Sequence, residues 1–144
     1  MYNSLKLTCL WYQEDGYMTF LIVDDSRTAR NVVKNLVFEM KIGKTGKFFE
    51  AENGESALEI LLTYDIDFVF MDWNLSTEMT GLDILMMIRK MDKYKNLPVF
   101  MITSEGDKFH VIKSLKFGAN DFIVKPIDKK SFTEKVLKLA EGID

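Results

Sequence analysis

Short apolar runs alternate five times with stretches whose apolar residues recur at helical spacing, and this alternation constrains the fold more than any other feature. Four runs are almost continuously apolar, as in strands buried on both faces, and they cover residues 19–23, 68–71, 99–102 and 122–124. The fifth run, residues 47–51, mixes polar and apolar residues, which predicts a strand at a sheet edge. The chain is therefore predicted to be an α/β protein, with helices on both faces of a five-stranded parallel sheet and right-handed crossovers.

The segments between these runs are amphipathic, and each predicts a helix that packs on the sheet. Ser26 offers an N-cap for the first helix, the turn signal Asn53-Gly54 precedes the second, and Gly118 closes the fourth. We interpret all five apolar stripes as core: Ala29, Val32, Val33, Leu36, Val37 and Met40; Ala57, Leu58, Leu61 and Leu62; Leu82, Leu85 and Ile88; Val111, Ile112 and Leu115; Phe132, Val136, Leu139 and Ala140.

Composition and charge exclude several classes of protein. A chain of 144 residues with 47% hydrophobic and 28% charged residues suits one globular domain. A net charge of -3 argues against direct binding to nucleic acid or to a membrane surface. The single cysteine, Cys9, cannot form an intrachain disulfide, and the lone histidine, His110, excludes a structural zinc site. No apolar run is long enough to cross a bilayer and residues 1–17 make a poor secretory signal, so we expect a cytoplasmic protein.

Polar residues follow the predicted strands at the points where those strands end. Asp24 and Asp25 end the first strand, Asp72 the third, Thr103 the fourth and Lys125 the fifth. Ligands of open parallel sheets bind beyond these carboxyl ends, where the strand order reverses. In the flavodoxin-like, doubly wound order 2-1-3-4-5, the first and third strands are neighbours at that point. The three carboxylates are therefore predicted to share one pocket, flanked by Thr103 and Lys125.

This set of side chains indicates a particular chemistry. Clustered carboxylates repel one another and need a cation, and an all-oxygen site favours Mg²⁺. Lys125 is a compact positive charge suited to a phosphate oxygen, and Thr103 adds a hydroxyl donor. Positioning and neutralisation of charge do most of the work of phosphoryl transfer, and Asp72 can serve as the covalent acceptor.

The motifs that carry these residues resemble the receiver domains of two-component response regulators. They are residues 23–26 (VDDS), 71–74 (MDWN), 103–105 (TSE), 118–122 (GANDF) and 124–126 (VKP), and the match runs from about Met18 to the C-terminus. We therefore assign residues 18–144 to a receiver domain and residues 1–17 to an N-terminal extension of unknown role. That extension could be an extra strand, a packing arm, or sequence upstream of an initiating Met18.

The resemblance implies a role for each site residue. Asp72 is the phosphoacceptor; Asp24 and Asp25, with the Asp72 carboxylate and the main-chain carbonyl of Asn74, organise Mg²⁺. Lys125 and Thr103 hold the phosphoryl oxygens. Thr103 also acts as a switch with an aromatic residue, here Phe122, and together they reshape the surface formed by the fourth helix, fifth strand and fifth helix.

Within the family, the chain looks most similar to single-domain chemotaxis receivers of the CheY type. The segment Asp72-Trp73-Asn74 matches that type, and so does the pair Asn74 and Glu105, which in the family tunes dephosphorylation. The resemblance implies a sensor histidine kinase as donor and a downstream protein, such as a flagellar motor switch protein or a phosphotransfer domain, as target. No helix-turn-helix segment is present that would bind DNA.

The chain departs from the family pattern at four places. Ser76 stands where a proline is usual, the loop of residues 75–80 is one residue longer, Phe122 replaces a frequent tyrosine, and residues 41–47 form a longer connection. Glu78, in the altered loop, is either close to the metal or simply solvated, and we favour the second interpretation. None of these departures removes a group needed for the chemistry.

Four alternatives remain open from the sequence. A phosphatase of the haloacid dehalogenase type needs a second Asp two residues after its nucleophile, where this chain has Asn74. A flavodoxin-like cofactor binder needs a phosphate loop in place of Asp24-Asp25. A phosphorelay intermediate, or a degenerate receiver that acts without phosphorylation, would keep the same fold. We expect no enzyme activity beyond the protein's own phosphorylation and dephosphorylation.

Overall fold

Five parallel strands form one sheet in the order β2-β1-β3-β4-β5, as predicted. The computed structural model describes residues 18–40, 46–75, 78–104 and 108–141. The strands are β1 (Thr19–Val23), β2 (Lys47–Ala51), β3 (Phe68–Asp72), β4 (Val99–Thr103) and β5 (Asp121–Val124). The helices are α1 (Arg27–Glu39), α2 (Gly54–Thr63), α3 (Gly81–Lys90), α4 (Lys108–Lys116) and α5 (Lys129–Glu141), with a 3₁₀ turn at Asp92–Tyr94. Within these ranges, no helix is both long and apolar enough to span a membrane.

The strand register aligns the ends of the strands that carry the polar residues. Val23 lies opposite both Ala51 of β2 and Met71 of β3, and Asp72 lies opposite Ile102 of β4. The first residues beyond β1 and the last residue of β3 are therefore neighbours at the carboxyl ends of the strands. The mixed strand β2 is at the sheet edge, which confirms the prediction from its polarity.

Alternate strand residues build two separate core layers because successive side chains point to opposite faces. The layer under α1 and α5 is dominated by phenylalanine rings, and the layer under α2, α3 and α4 is mainly aliphatic. The buried rings of the first layer are Phe20, Phe68, Phe70, Phe100 and Phe132.

Side-chain caps fix where α1, α2 and α3 begin. The Ser26 hydroxyl accepts a hydrogen bond from the Ala29 N–H (3.2 Å), which confirms the predicted cap of α1. Asn53 caps α2 by accepting from the Ser56 N–H (2.8 Å). Residues Thr80 and Asp83 form a reciprocal capping box on α3, which sequence reasoning did not identify.

The prediction that every helical stripe is core was wrong for α4. Ile112 is 67% exposed and Leu115 is 44% exposed, whereas the small Ser114 is the buried residue of that helix. The helix is rotated so that Ser114 and the partly buried Phe117 face the sheet. The prediction was also wrong for Val32 of α1 and for Leu62 at the end of α2, which are exposed. The prediction followed the apolar residues of α4, whereas the inward side is centred on a serine, and helical period alone does not tell which side faces inward.

Some predictions concern residues outside the described ranges. These are the extension of residues 1–17, the longer connection within residues 41–45, part of the altered loop at residues 76–77, and the tuning position Glu105.

Candidate functional site

Three carboxylates meet at the carboxyl ends of β1 and β3, as the sequence predicted. One oxygen from each of Asp24, Asp25 and Asp72 lies within 4.8 Å of the others. Asp24 and Asp72 are almost completely buried, while Asp25 is exposed to solvent. The cluster thus has two recessed carboxylates and one at the mouth of the pocket.

Asp24 is held at several atoms, so its carboxylate has a fixed orientation. Its N–H donates to the Ala51 carbonyl of β2 (3.0 Å), and its Oδ1 accepts from the Ser26 N–H (2.9 Å). Its carbonyl accepts a hydrogen bond from the Arg30 guanidinium (2.6 Å). The sequence did not predict this contact, because a charged residue on a predicted helix is ordinarily solvated and nothing in the sequence pairs Arg30 with the Asp24 carbonyl.

Asp72 is the last residue of β3, and the chain turns sharply after it. The Asn74 N–H donates to Asp72 Oδ1 (3.3 Å), and the Gly81 N–H donates to the Trp73 carbonyl (2.8 Å). A side chain at position 81 would overlap the Asp72 carbonyl, so glycine is needed where α3 begins beside Asp72. Asn74 is exposed, and so is Glu78, in agreement with a solvated loop charge.

Lys125 reaches back over the carboxylates from the end of β5. Its Nζ lies 3.2 Å from Asp24 Oδ2 and 3.5 Å from Asp72 Oδ2. The backbone N–H of Lys125 donates to the Thr103 carbonyl (2.8 Å), which places the two predicted phosphoryl-binding residues side by side. Burial opposes its charge, but the carboxylates of Asp72 and Asp24 raise the pKa of Lys125 above its ordinary value. Lys125 therefore stays cationic and partly neutralises the cluster.

The pKa of Asp72 is strongly perturbed. Burial and, next, repulsion from Asp24 raise the pKa, Lys125 and the Asn74 N–H oppose them, and the net result is a rise from 3.8 to about 6. One positive side chain is thus insufficient to offset the cost of burying these carboxylates. The site favours a further cation, and its carboxylate oxygens are the ligands that a hard divalent cation prefers.

This perturbed pKa predicts an unusual pH dependence of stability. Because the pKa is higher in the folded protein, the folded protein holds more protons between about pH 4 and pH 6, and ionising Asp72 destabilises it as the pH rises through that window. Without metal, we expect Asp72→Asn to be more stable than the wild type at about pH 7.5, by at most about 3 kcal/mol. Urea unfolding of both proteins measures the difference, which should shrink towards about pH 4. A difference that does not vary with pH would contradict it.

The Thr103 hydroxyl is buried at the end of β4 and has no hydrogen-bond partner among the described residues. A buried hydroxyl without a partner costs about 1–3 kcal/mol. Thr103 adjoins Lys125 through its main chain, and the role of its hydroxyl as a donor to an anionic ligand stays a prediction.

We therefore expect Thr103→Val to raise the free energy of unfolding by about 1 kcal/mol in the absence of a phosphodonor, since it removes an unsatisfied donor at little change in shape. The control is Thr63→Val, because the Thr63 hydroxyl donates to the Glu59 carbonyl (2.7 Å). That variant should gain nothing in urea unfolding. If Thr103→Val instead lowered the free energy of unfolding by more than about 1 kcal/mol, the Thr103 hydroxyl would have a hydrogen-bond partner in the folded wild type.

Two aromatic contacts involve residues next to the site or predicted to act with it. Trp73 is buried and stacks on His110 of α4 with ring centroids 3.9 Å apart. Phe122, the predicted switch residue on β5, is partly buried, and Lys135 Nζ lies 3.9 Å from its ring centroid. Lys135 also donates to the Phe122 carbonyl (2.7 Å), a contact that sequence reasoning missed because it joins α5 to β5.

Comparison with known proteins agrees with this geometry. The family model of the response regulator receiver domain matches residues 20–137. The chemotaxis protein CheY of Pseudomonas aeruginosa is 36% identical over 127 residues, which cover 88% of this chain and 99% of that protein. Chemotaxis protein CheY-3 of Vibrio cholerae is 41% identical over 126 residues, covering 88% and 94%.

Solved structures show the same fold. The receiver domain of NtrX from Brucella abortus has a TM-score of 0.74 at 27% identity, covering 87% of this chain and 99% of that one. The chemotaxis response regulator CheY4 of Vibrio cholerae has a TM-score of 0.73 at 25% identity, covering 86% and 98%. With the family match over most of the chain and the acidic pocket at the predicted strand ends, the chain belongs to the response regulator receiver domain family.

Proposed function

We propose that the protein is a phosphorylation-dependent switch in which Asp72 accepts a phosphoryl group from a sensor histidine kinase, with Mg²⁺ as cofactor. The observation that carries the proposal is a buried carboxylate of raised pKa, grouped with two other carboxylates and with the ammonium of Lys125. Asp24, Asp25, the Asp72 carboxylate and the Asn74 carbonyl would supply the protein ligands. When bound, Mg²⁺ would neutralise the charge that builds up on the transferring group.

The residues of the pocket suit an in-line transfer. A carboxylate oxygen of Asp72 bonds to phosphorus while the phosphorus–nitrogen bond of the kinase phosphohistidine breaks, and the imidazole nitrogen keeps the electron pair. Lys125 exchanges its ion pairs with Asp24 and Asp72 for the phosphoryl oxygens, and Thr103 donates its hydroxyl to them. Water later cleaves the acyl phosphate and releases inorganic phosphate, at a rate tuned by Asn74 and Glu105. We propose that the protein catalyses only these two reactions on itself.

The output of the switch is a change at the surface formed by α4, β5 and α5, driven by Thr103 and Phe122. The apolar side chains that α4 exposes lie on this surface, at Phe109, Ile112 and Leu115. The named relatives are chemotaxis proteins, which supports a cytoplasmic role in chemotaxis or motility signalling. The target would then be a protein such as a flagellar motor switch component, and a phosphotransfer domain is the partner in a phosphorelay.

Incubation with acetyl phosphate tests the proposal directly. We expect intact-mass spectrometry to show a single phosphoryl adduct that forms with Mg²⁺ and not with EDTA. The decay of the adduct after removal of the donor gives its lifetime. A protein that gains no adduct at any Mg²⁺ concentration would instead be a receiver that acts without phosphorylation.

A further inference from the structure

A buried arginine contacts the backbone of the acidic cluster. Arg30, in the first turn of α1, is 8% exposed. Its Nη1 donates to the Asp24 carbonyl at 2.6 Å, and its Nε donates to Glu50 Oε1 at 2.8 Å. One guanidinium group thus links the end of β1 to the edge strand β2. Because a guanidinium is a rigid, planar fork of donors, fixing both contacts also fixes the position of the carbonyl that it holds.

The carboxylate that braces Arg30 is itself anchored. Glu50 precedes Ala51 on β2, and the Ala51 carbonyl accepts the Asp24 N–H. Lys34, one turn further along α1, pairs with the other Glu50 oxygen at 2.9 Å. Hydrogen bonds from Lys34 and then Arg30 lower the pKa of Glu50, so it is a carboxylate at neutral pH. The brace is therefore a charged network that joins α1, β1 and β2.

The contact with Arg30 constrains both acidic residues at the end of β1. The Asp24 carbonyl belongs to the peptide group that joins Asp24 to Asp25, so holding this oxygen sets the plane of that peptide. The plane in turn determines the direction in which each carboxylate leaves the backbone. Ser26 and Lys125 hold the side chain of Asp24, but Arg30 is the side chain that holds this peptide among the hydrogen bonds described.

Two roles for Arg30 are conceivable, and they predict opposite effects. A cation near three carboxylates lowers the attraction for a metal ion, so its removal would tighten metal binding. A residue that orients ligands improves metal binding, so its removal would weaken it. The sign of the change in affinity distinguishes these roles.

We propose that Arg30, braced by Glu50, is a positioning residue that orients Asp24 and Asp25 for binding the divalent cation. The inference rests on the proposed function, since it concerns the same metal-dependent site. It assigns a role in metal binding to a residue whose described hydrogen bonds are with Glu50 and the Asp24 carbonyl, and not with the carboxylates that would bind the metal.

The test is a Mg²⁺ titration without phosphodonor, read by the emission of Trp73, which adjoins the acceptor. All proteins carry Trp11→Phe, so that Trp73 is the only indole observed. We expect Arg30→Gln to raise the Kd for Mg²⁺ at least about tenfold, as for other residues that orient metal ligands. Arg30→Lys keeps the charge but not the fork, and should remain weakened. Arg89→Gln, the matched control, makes the same change at an arginine that holds the Gly118 carbonyl (2.7 Å) ahead of β5, outside the network of Arg30, Glu50 and Lys34, and should bind Mg²⁺ like the parent protein.

Urea unfolding of each variant separates affinity from stability, because a purely structural role would lower stability and leave the Kd of the folded protein unchanged. If Arg30→Gln does not fold, Glu50→Gln carries the test, since it removes the brace and keeps Arg30; its Kd should rise several-fold. An unchanged or lower Kd in Arg30→Gln, or in Glu50→Gln when it stands in, would overturn the inference and leave the proposed function intact. A parent protein whose emission and mass respond to neither Mg²⁺ nor acetyl phosphate would overturn both.

Discussion

The Asp72→Asn variant should form no phosphoryl adduct under conditions where the wild type is fully modified. A carboxamide oxygen is a far weaker nucleophile than a carboxylate, so we expect the rate to fall on the order of a thousandfold or more. The fold should persist, because asparagine has nearly the same shape and removes a buried charge of raised pKa. A time course of intact mass with acetyl phosphate and Mg²⁺ measures both the rate and the extent.

The matched control for this prediction is Asp92→Asn. The Asp92 side chain is 96% exposed and lies in the turn after α3, so the same chemical change there should leave the adduct unaltered. Full modification of Asp72→Asn, at the rate of the wild type, would show that the acceptor is another residue.

The second large effect is expected in the core, at the strand that carries Asp72. Phe70 on β3 is fully buried, and its ring centroid lies 4.9 Å from that of Phe68 and 5.4 Å from that of Phe132. Phe70→Ala should lower the free energy of unfolding by about 3–5 kcal/mol. Since small domains have about 5–15 kcal/mol in total, this loss would leave a marginal protein.

Urea unfolding at neutral pH measures this loss, with Phe109→Ala as the control. Phe109 on α4 is 64% exposed, so its removal should change the free energy of unfolding by less than about 0.5 kcal/mol. Equal losses in the two variants would contradict the core assignment, because a buried and an exposed phenylalanine would then contribute alike.

Much of the fold and the pocket could be predicted from the sequence, because the relevant signals are local. Continuous apolar runs identify buried parallel strands, and polar residues at their carboxyl ends identify the edge where ligands bind. Asp24, Asp72 and Lys125 follow three different strands, and the parallel arrangement brings their ends together. The predicted strand order makes β1 and β3 neighbours, and this places Asp24 next to Asp72.

Other features could not be predicted, because they depend on how far a side chain reaches in three dimensions. Arg30 contacts Asp24 and Glu50 only once α1 has docked against β2. Lys135 covers Phe122 from a different element, and nothing in the sequence pairs them. The inward face of α4 is set by the small Ser114, which the search for apolar stripes disregards.

Reductive trapping tests the central claim, that the phosphoryl group resides on Asp72. Borohydride converts an aspartyl phosphate to homoserine with loss of phosphate, and peptide mass mapping then locates the modified residue. After treatment with acetyl phosphate and Mg²⁺, we expect homoserine at position 72 and unmodified Asp24 and Asp25. Homoserine at another aspartate, or at none while the intact protein carries a phosphoryl adduct, would contradict the assignment of Asp72 as the acceptor.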